Sequence, residues 1–158
     1  MSRRLEAHGL GVTVPTGWEG AITRSLAESA AADERSGGTV KPVLHVATIP
    51  LPKVRGDFGG DFLATMGPDD VFVALVEYDS ASAGSELFDH DGRRTIDGSG
   101  FTREGMHRPF PGQSGHQQFF TQAGRAFCLY VAIGSHRRRD QLATAAAMVA
   151  STIRVNPL

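Results

Sequence analysis

Leu10, Val12 and Val14 alternate with Gly11 and Thr13, a period of two that predicts a β-strand with one buried face. Pro15-Thr16-Gly17 is turn chemistry, and Trp18 through Thr23 is expected to return as the second strand of a β-hairpin over residues 10–24. Ser25–Arg35 lacks a broad apolar stripe and reads as a short helix or as a mobile connection. Val43–Ile49 is dense in β-branched residues and bounded by Pro42 and Pro50, which predicts a strand. After the Pro50–Gly56 loop, Asp57 is expected to cap a helix over Phe58–Met66, with Phe58, Phe62 and Met66 at four-residue spacing. Gly67-Pro68 stops it. Val71–Tyr78 is apolar at nearly every position, as a central strand covered on both faces requires.

From Asp79 to Gly115 the chain is turn-rich, with glycine at 84, 92, 98, 100, 105, 112 and 115, and Leu87-Phe88 and Phe101 are its expected anchors. Gln117–Gln122 and Arg125–Ile133 then read as two strands joined at Ala123-Gly124. A two-residue turn pairs Phe120 with Phe127, Gln118 with Leu129 and His116 with Val131 on one face, and Phe119 with Cys128 and Gln117 with Tyr130 on the other. Residues 137–153 carry the strongest helical period, Leu142, Ala146, Val149 and Ile153, widened by Ala145 and Met148. No repeat or linker interrupts the chain, so residues 1–158 read as a single domain. The element order predicts an α+β fold, an antiparallel β-sheet flanked by helices.

Composition narrows the function classes. Leu, Ile, Val and Phe supply 37 of 158 residues, above the range of disordered chains. A net charge of −1 argues against nucleic acid or an anionic membrane surface as the main partner. No apolar run approaches the roughly 20 residues needed to span a bilayer, so membrane insertion is not expected. Arg3-Arg4 is followed by no apolar leader segment, and the one cysteine, Cys128, cannot form an internal disulfide. The expected location is cytoplasmic.

Two parts of the chain resemble a known superfamily. Val12-Thr13-Val14-Pro15-Thr16-Gly17-Trp18 followed by a strand resembles the opening of PsbP-like domains, and Phe127–Ile133 followed by the helix Arg137–Ile153 resembles their close. That superfamily includes the photosystem II extrinsic subunit, DcrB-like proteins, a Ran-binding nuclear import factor and LpqN-like lipoproteins. Some DcrB-like members are chaperones for secreted effectors. The resemblance implies a three-layer sandwich and a non-catalytic binding role. It carries over no catalytic residue, and the middle third of the chain holds no motif of the superfamily.

Candidate chemistry is sparse. The six histidines show no His-x₃-His or His-Glu-x-x-His spacing, and Asp89-His90-Asp91 on one loop cannot converge on an ion, so neither a metal nor a cofactor is expected. No Gly-x-Ser-x-Gly occurs, and Cys128 between Phe127 and Leu129 reads as a buried thiol. Asp57, Asp61 and Asp69-Asp70 are explained by capping and loop solvation. Arg137, Arg138 and Arg139 at the start of the last helix oppose its dipole and form an anion-binding candidate, against the simpler reading that Asp140 caps the helix beside solvated arginines. His116, Gln118, Tyr130 and Arg125 are the candidate ligand or partner surface, polar groups at the edge of an apolar strand pair.

The expected function is a small non-catalytic binding module or chaperone-like adaptor. It would hold a protein segment or an apolar small ligand on its sheet face, with a homodimer left open. The alternative is a small enzyme with a cleft lined by His116, Gln118 and Arg125.

Overall fold

The computed structural model describes residues 1–24 and 40–158; the expectation for Ser25–Arg35 lies outside them. Eight strands form two antiparallel sheets among the described residues. The larger runs β3-β4-β5-β7-β6, built from β3 (Glu19–Thr23), β4 (Val43–Ala47), β5 (Val71–Tyr78), β6 (Ser114–Gln122) and β7 (Arg125–Ile133). The smaller runs β1-β2-β8, from β1 (Arg3–Ala7), β2 (Leu10–Val14) and β8 (Arg154–Val155). Among the described residues one α-helix, α1 (Arg139–Ser151), links β7 to β8. The fold is mixed α+β, with antiparallel pairing between all the strands named above.

β5 and β7 lie at the centre, and their unbroken apolar sequence follows from burial on both sides. Val71, Val73 and Leu75 of β5 and Phe127, Leu129, Val131 and Ile133 of β7 point to one face, where Leu142, Ala146 and Val149 of α1, Ile153 just beyond it, and Leu10, Val12 and Val14 of β2 close over them. Phe72, Ala74, Val76, Cys128, Tyr130 and Ala132 point to the opposite face, which Leu63, Met66 and Met106 cover. Each large side chain fully removed from water contributes roughly 1.5–3 kcal/mol. Both faces of the central strands are therefore filled.

The opening hairpin is not formed. β2 pairs with β1 and β8, whereas β3 pairs with β4 in the other sheet. The turn at Pro15–Trp18, with Gly17 at φ 84, sends the chain from one sheet into the other. Gly20 then comes so close to Val14 that a Cβ there would stand 2.6 Å from the valine methyl, so the two strands meet face to face. β1 escapes the hydrophobic pattern because it is mostly exposed, with Leu5 and Ala7 half-buried, and it is fixed by the two-residue turn His8-Gly9.

The segment expected as a helix over Phe58–Met66 is a six-residue 3-10 turn, Gly60–Thr65. Gly59 and Gly60 both lie at positive φ, which prevents an α-helical start; the cap position falls on Gly59, and Asp57 is buried two residues before it. α1 likewise starts later than expected. A 3-10 turn, His136–Arg138, precedes it, and Asp140 sits in its first turn with no capping hydrogen bond. Its buried stripe includes Ala143 and Ala150, while Met148 is exposed.

The hairpin β6–β7 has the register that its sequence predicts at every pair named above. Between β5 and β6, the chain makes three short 3-10 turns and lies along the outer edge of β6 through bridges Asp91↔Thr121 and Thr102↔Gly115. Phe88, Ile96, Phe101 and Met106 anchor this segment, whereas Leu87 is exposed. A covered edge cannot pair with another chain.

Candidate functional site

The pleat of β6 sends His116, Gln118 and Phe120 toward the α1 side of the sheet, and Tyr130 of β7 toward the other. Tyr130 therefore does not join His116 and Gln118. Its hydroxyl accepts the His107 backbone N–H at 3.0 Å and donates to Met106 Sδ at 3.8 Å, with Phe58 and His107 edge-on to its ring. Arg125 does not line a surface either. It is 2% exposed and forms a two-pronged ion pair with buried Glu77, Nε to Oε2 at 2.9 Å and Nη2 to Oε1 at 2.7 Å. Its guanidinium is turned to Glu77 and away from solvent.

Gln118 has a different task from the expected rim. Its buried side-chain carbonyl accepts the Arg94 backbone N–H at 2.8 Å, and its amide nitrogen donates to the Arg94 carbonyl at 3.1 Å and to His116 Nε2 at 3.0 Å. His116 must then carry its proton on Nδ1, which donates to the Gly100 carbonyl at 3.2 Å. Burial holds this imidazole below its ordinary range; the Gly100 carbonyl opposes that shift and the Arg94 charge adds to it. Together these two side chains fix the backbone of the 94–100 segment against β6.

Residues 91–96, leading into that segment, form one wall of a cleft of about 620 Å³, and the C-terminal half of α1 forms the other. Leu129, Ile96, Ala147 and Ala150 give it an apolar lining, and Arg93 and Arg94 supply charge. Arg93 Nη2 donates to the Ile153 carbonyl at 3.2 Å, just past the end of α1. Its Nη1 is buried and has no hydrogen-bond partner among the described residues. Burial lowers the Arg93 pKa, and the neighbouring Arg154 charge lowers it further. Arg154 itself donates to the Ser151 and Ile153 carbonyls at 3.2 and 3.1 Å. Cations are favoured at a helix C-terminus, which accounts for both arginines being near the last turn but not for the unused Nη1.

Two of the arginine triplet are engaged by neighbouring protein groups. Arg138 pairs with Asp69 at 3.1 Å and reaches Gln141, while Arg139 donates to the His136 carbonyl at 3.1 Å. Near it, a second cavity of about 590 Å³ is lined by Phe101, Gln113, His136 and Arg139. His136 Nδ1 lies 2.9 Å from Ser114 Oγ, but Ser114 is fully buried and presents no nucleophile. Cys128 is buried with its thiol pushed up to about 12, an inert side chain. Among the described residues, no three His, Cys, Asp or Glu side chains are placed to hold a metal, and no helix is long and apolar enough to cross a membrane.

Arg93 and Ile96 escape sequence reasoning. The Arg93-Arg94 doublet beside Gly92 is a visible signal, but nothing local distinguishes it from the solvated arginines elsewhere in an arginine-rich chain. No protein-family model matches the chain, and neither a curated protein nor a solved structure gives a significant match.

Proposed function

We propose that this protein is a non-catalytic binding module of the PsbP-like kind, and that its ligand sits in the cleft between residues 91–96 and α1. The antiparallel sheet, the closing strand-helix order and the Val-Pro-Thr-Gly-Trp entry support the kinship. Both faces of β5 and β7 are filled, which favours the cleft over a sheet face as the binding surface. The observation that carries the reading is an apolar-lined cleft of about 620 Å³, within the usual range for small-molecule sites, beside a buried and unused guanidinium nitrogen. The lining offers Asp91, Arg93, Arg94, Thr95, Gln122 and Ser151 as polar groups, and no hydrogen bond among the described residues pairs Asp91 with the Thr95 or Ser151 hydroxyl. Both ring nitrogens of His116 are already engaged in holding the wall.

A fluorescent apolar probe, anilinonaphthalene sulfonate, tests the location. The native protein should bind it with blue-shifted, enhanced emission, and Ala147→Trp, which fills the cleft, should lose that signal at an unchanged Tm. Equal signals from both proteins would remove the cleft from the account.

A further inference from the structure

We infer that the ligand is a monoanionic carboxylate carried on an apolar body, its carboxylate paired with the Arg93 guanidinium beside Arg94. This rests on the cleft being the ligand site. A guanidinium carries five N–H donors, and here Nη2 is spent on the Ile153 carbonyl while Nη1 is buried without a partner among the described residues. Arg93 is half-buried, and a partly desolvated guanidinium with an unused donor gains from an anion beside it. Asp91, the one carboxylate lining the cleft, makes no ion pair with Arg93 or Arg94 among the described residues.

The choice of anion follows from the cleft's place in the fold. Ala147, Ala150 and Ser151 belong to the last turns of α1, so the carbonyl end of the helix lies along the cleft. That end is partially negative, so it tolerates the two arginines and disfavours a dianion. The anion-binding end of a helix, with its unpaired N–H groups, lies at the opposite terminus. A planar fork matches a carboxylate, one charge against one or two guanidinium groups. The small side chains of Ala147 and Ala150, with Ile96 and Leu129 beneath, leave room for a hydrocarbon body.

Calorimetric titration of the full chain tests this with decanoate, 1-decanol, decyl phosphate and an acetylated peptide ending in leucine carboxylate. Decanoate should bind at least tenfold more tightly than decanol. Arg93→Ala should erase that difference and leave decanol affinity unchanged, and Ala147→Trp should abolish both. Arg93→Lys keeps the charge without the fork; it should show a reduced preference and serves if the alanine variant does not fold. Equal binding of decanol and decanoate, or a preference that survives Arg93→Ala and Arg93→Lys undiminished, overturns the carboxylate assignment. Decanol binding that Ala147→Trp still abolishes would meanwhile leave the cleft standing. Tighter binding of decyl phosphate or of the peptide overturns the inference in favour of that ligand, and binding of none of the four overturns both readings.

Discussion

His45 on β4 is held neutral by its neighbours. Arg55 Nε donates to Nδ1 at 2.7 Å, so the ring proton sits on Nε2, which donates to the Asp57 carbonyl at 2.7 Å. Burial lowers its pKa from 6.5 to about 3, with the Asp57 carbonyl opposing and the Arg55 charge assisting. In the unfolded chain, the ring would protonate near 6.5, so between about 3 and 6.5 the unfolded state binds the extra proton. Stability is thus complete above 6.5 and falls as the pH drops toward 3, by up to about 1.4 kcal/mol per pH unit for one such group. Burial shifts His107 and His116 in the same direction. Urea unfolding from pH 7 to pH 4.5 should show this slope, and His45→Gln should flatten it; an unchanged slope would place the acid sensitivity elsewhere. An imidazole in an apolar strand signals a buried histidine in the sequence, but its partners sit on a loop whose path is set by Gly59 and Gly60.

Among the elements, the β6–β7 hairpin is the one most fully legible beforehand. Its two-residue turn places Ala123 at φ 54 and Gly124 at φ 75, both left-handed, as the twist of a tight hairpin demands. Alanine pays roughly 1–2 kcal/mol for that conformation, and asparagine tolerates it better. Ala123→Asn is therefore expected to stabilise the protein by about 0.5–1 kcal/mol in chemical denaturation. A loss of stability would show that the alanine methyl makes a contact that outweighs the strain. The segment from Asp79 to Gly115 was legible as irregular and no further, because its order comes from β6: Thr102 and Gly115 exchange backbone hydrogen bonds at 3.0 and 2.8 Å, and Gln118 grips Arg94. Such contacts leave no periodic trace in the segment itself.

At the scale of the whole molecule, Arg125 is the tie between the two sheets. Beyond the pair with Glu77 of β5, its Nη2 donates to the His8 carbonyl at 3.2 Å, and its Nη1 donates to the carbonyls of Gly9 and Asn156 at 3.3 and 2.9 Å. One side chain of the large sheet thus fastens both the β1–β2 turn and the chain just after β8. Arg125→Met breaks the two-pronged buried pair with Glu77 and leaves three backbone carbonyls without their donor, so it should cost about 3–5 kcal/mol. The double variant Arg125→Met/Glu77→Leu should recover part of that, as urea unfolding of the two proteins would show. Hydrogen exchange in β2 should also accelerate in Arg125→Met; a β2 as protected as in the native protein would mean that apolar packing alone joins the sheets.

The sequence by itself determined β4, β5, the β6–β7 register and the buried stripe of α1 in outline. Those features follow from period, turn chemistry and β-branching, which act within a few residues. Only the tertiary structure decided that β2 pairs with β1 and β8, that Arg125 turns inward to Glu77, and that Arg93 comes to lie at the end of α1. Apart from the local β1–β2 turn, each of those joins residues far apart in the chain, 48 positions in the case of Glu77 and Arg125 and 60 in the case of Arg93 and Ile153. A charged side chain has the same local preferences whether its partner is water or a buried carboxylate. Which of the two it meets is settled by the free energy of assembling the layers, and that choice moved the candidate site from the sheet face to the cleft beside α1.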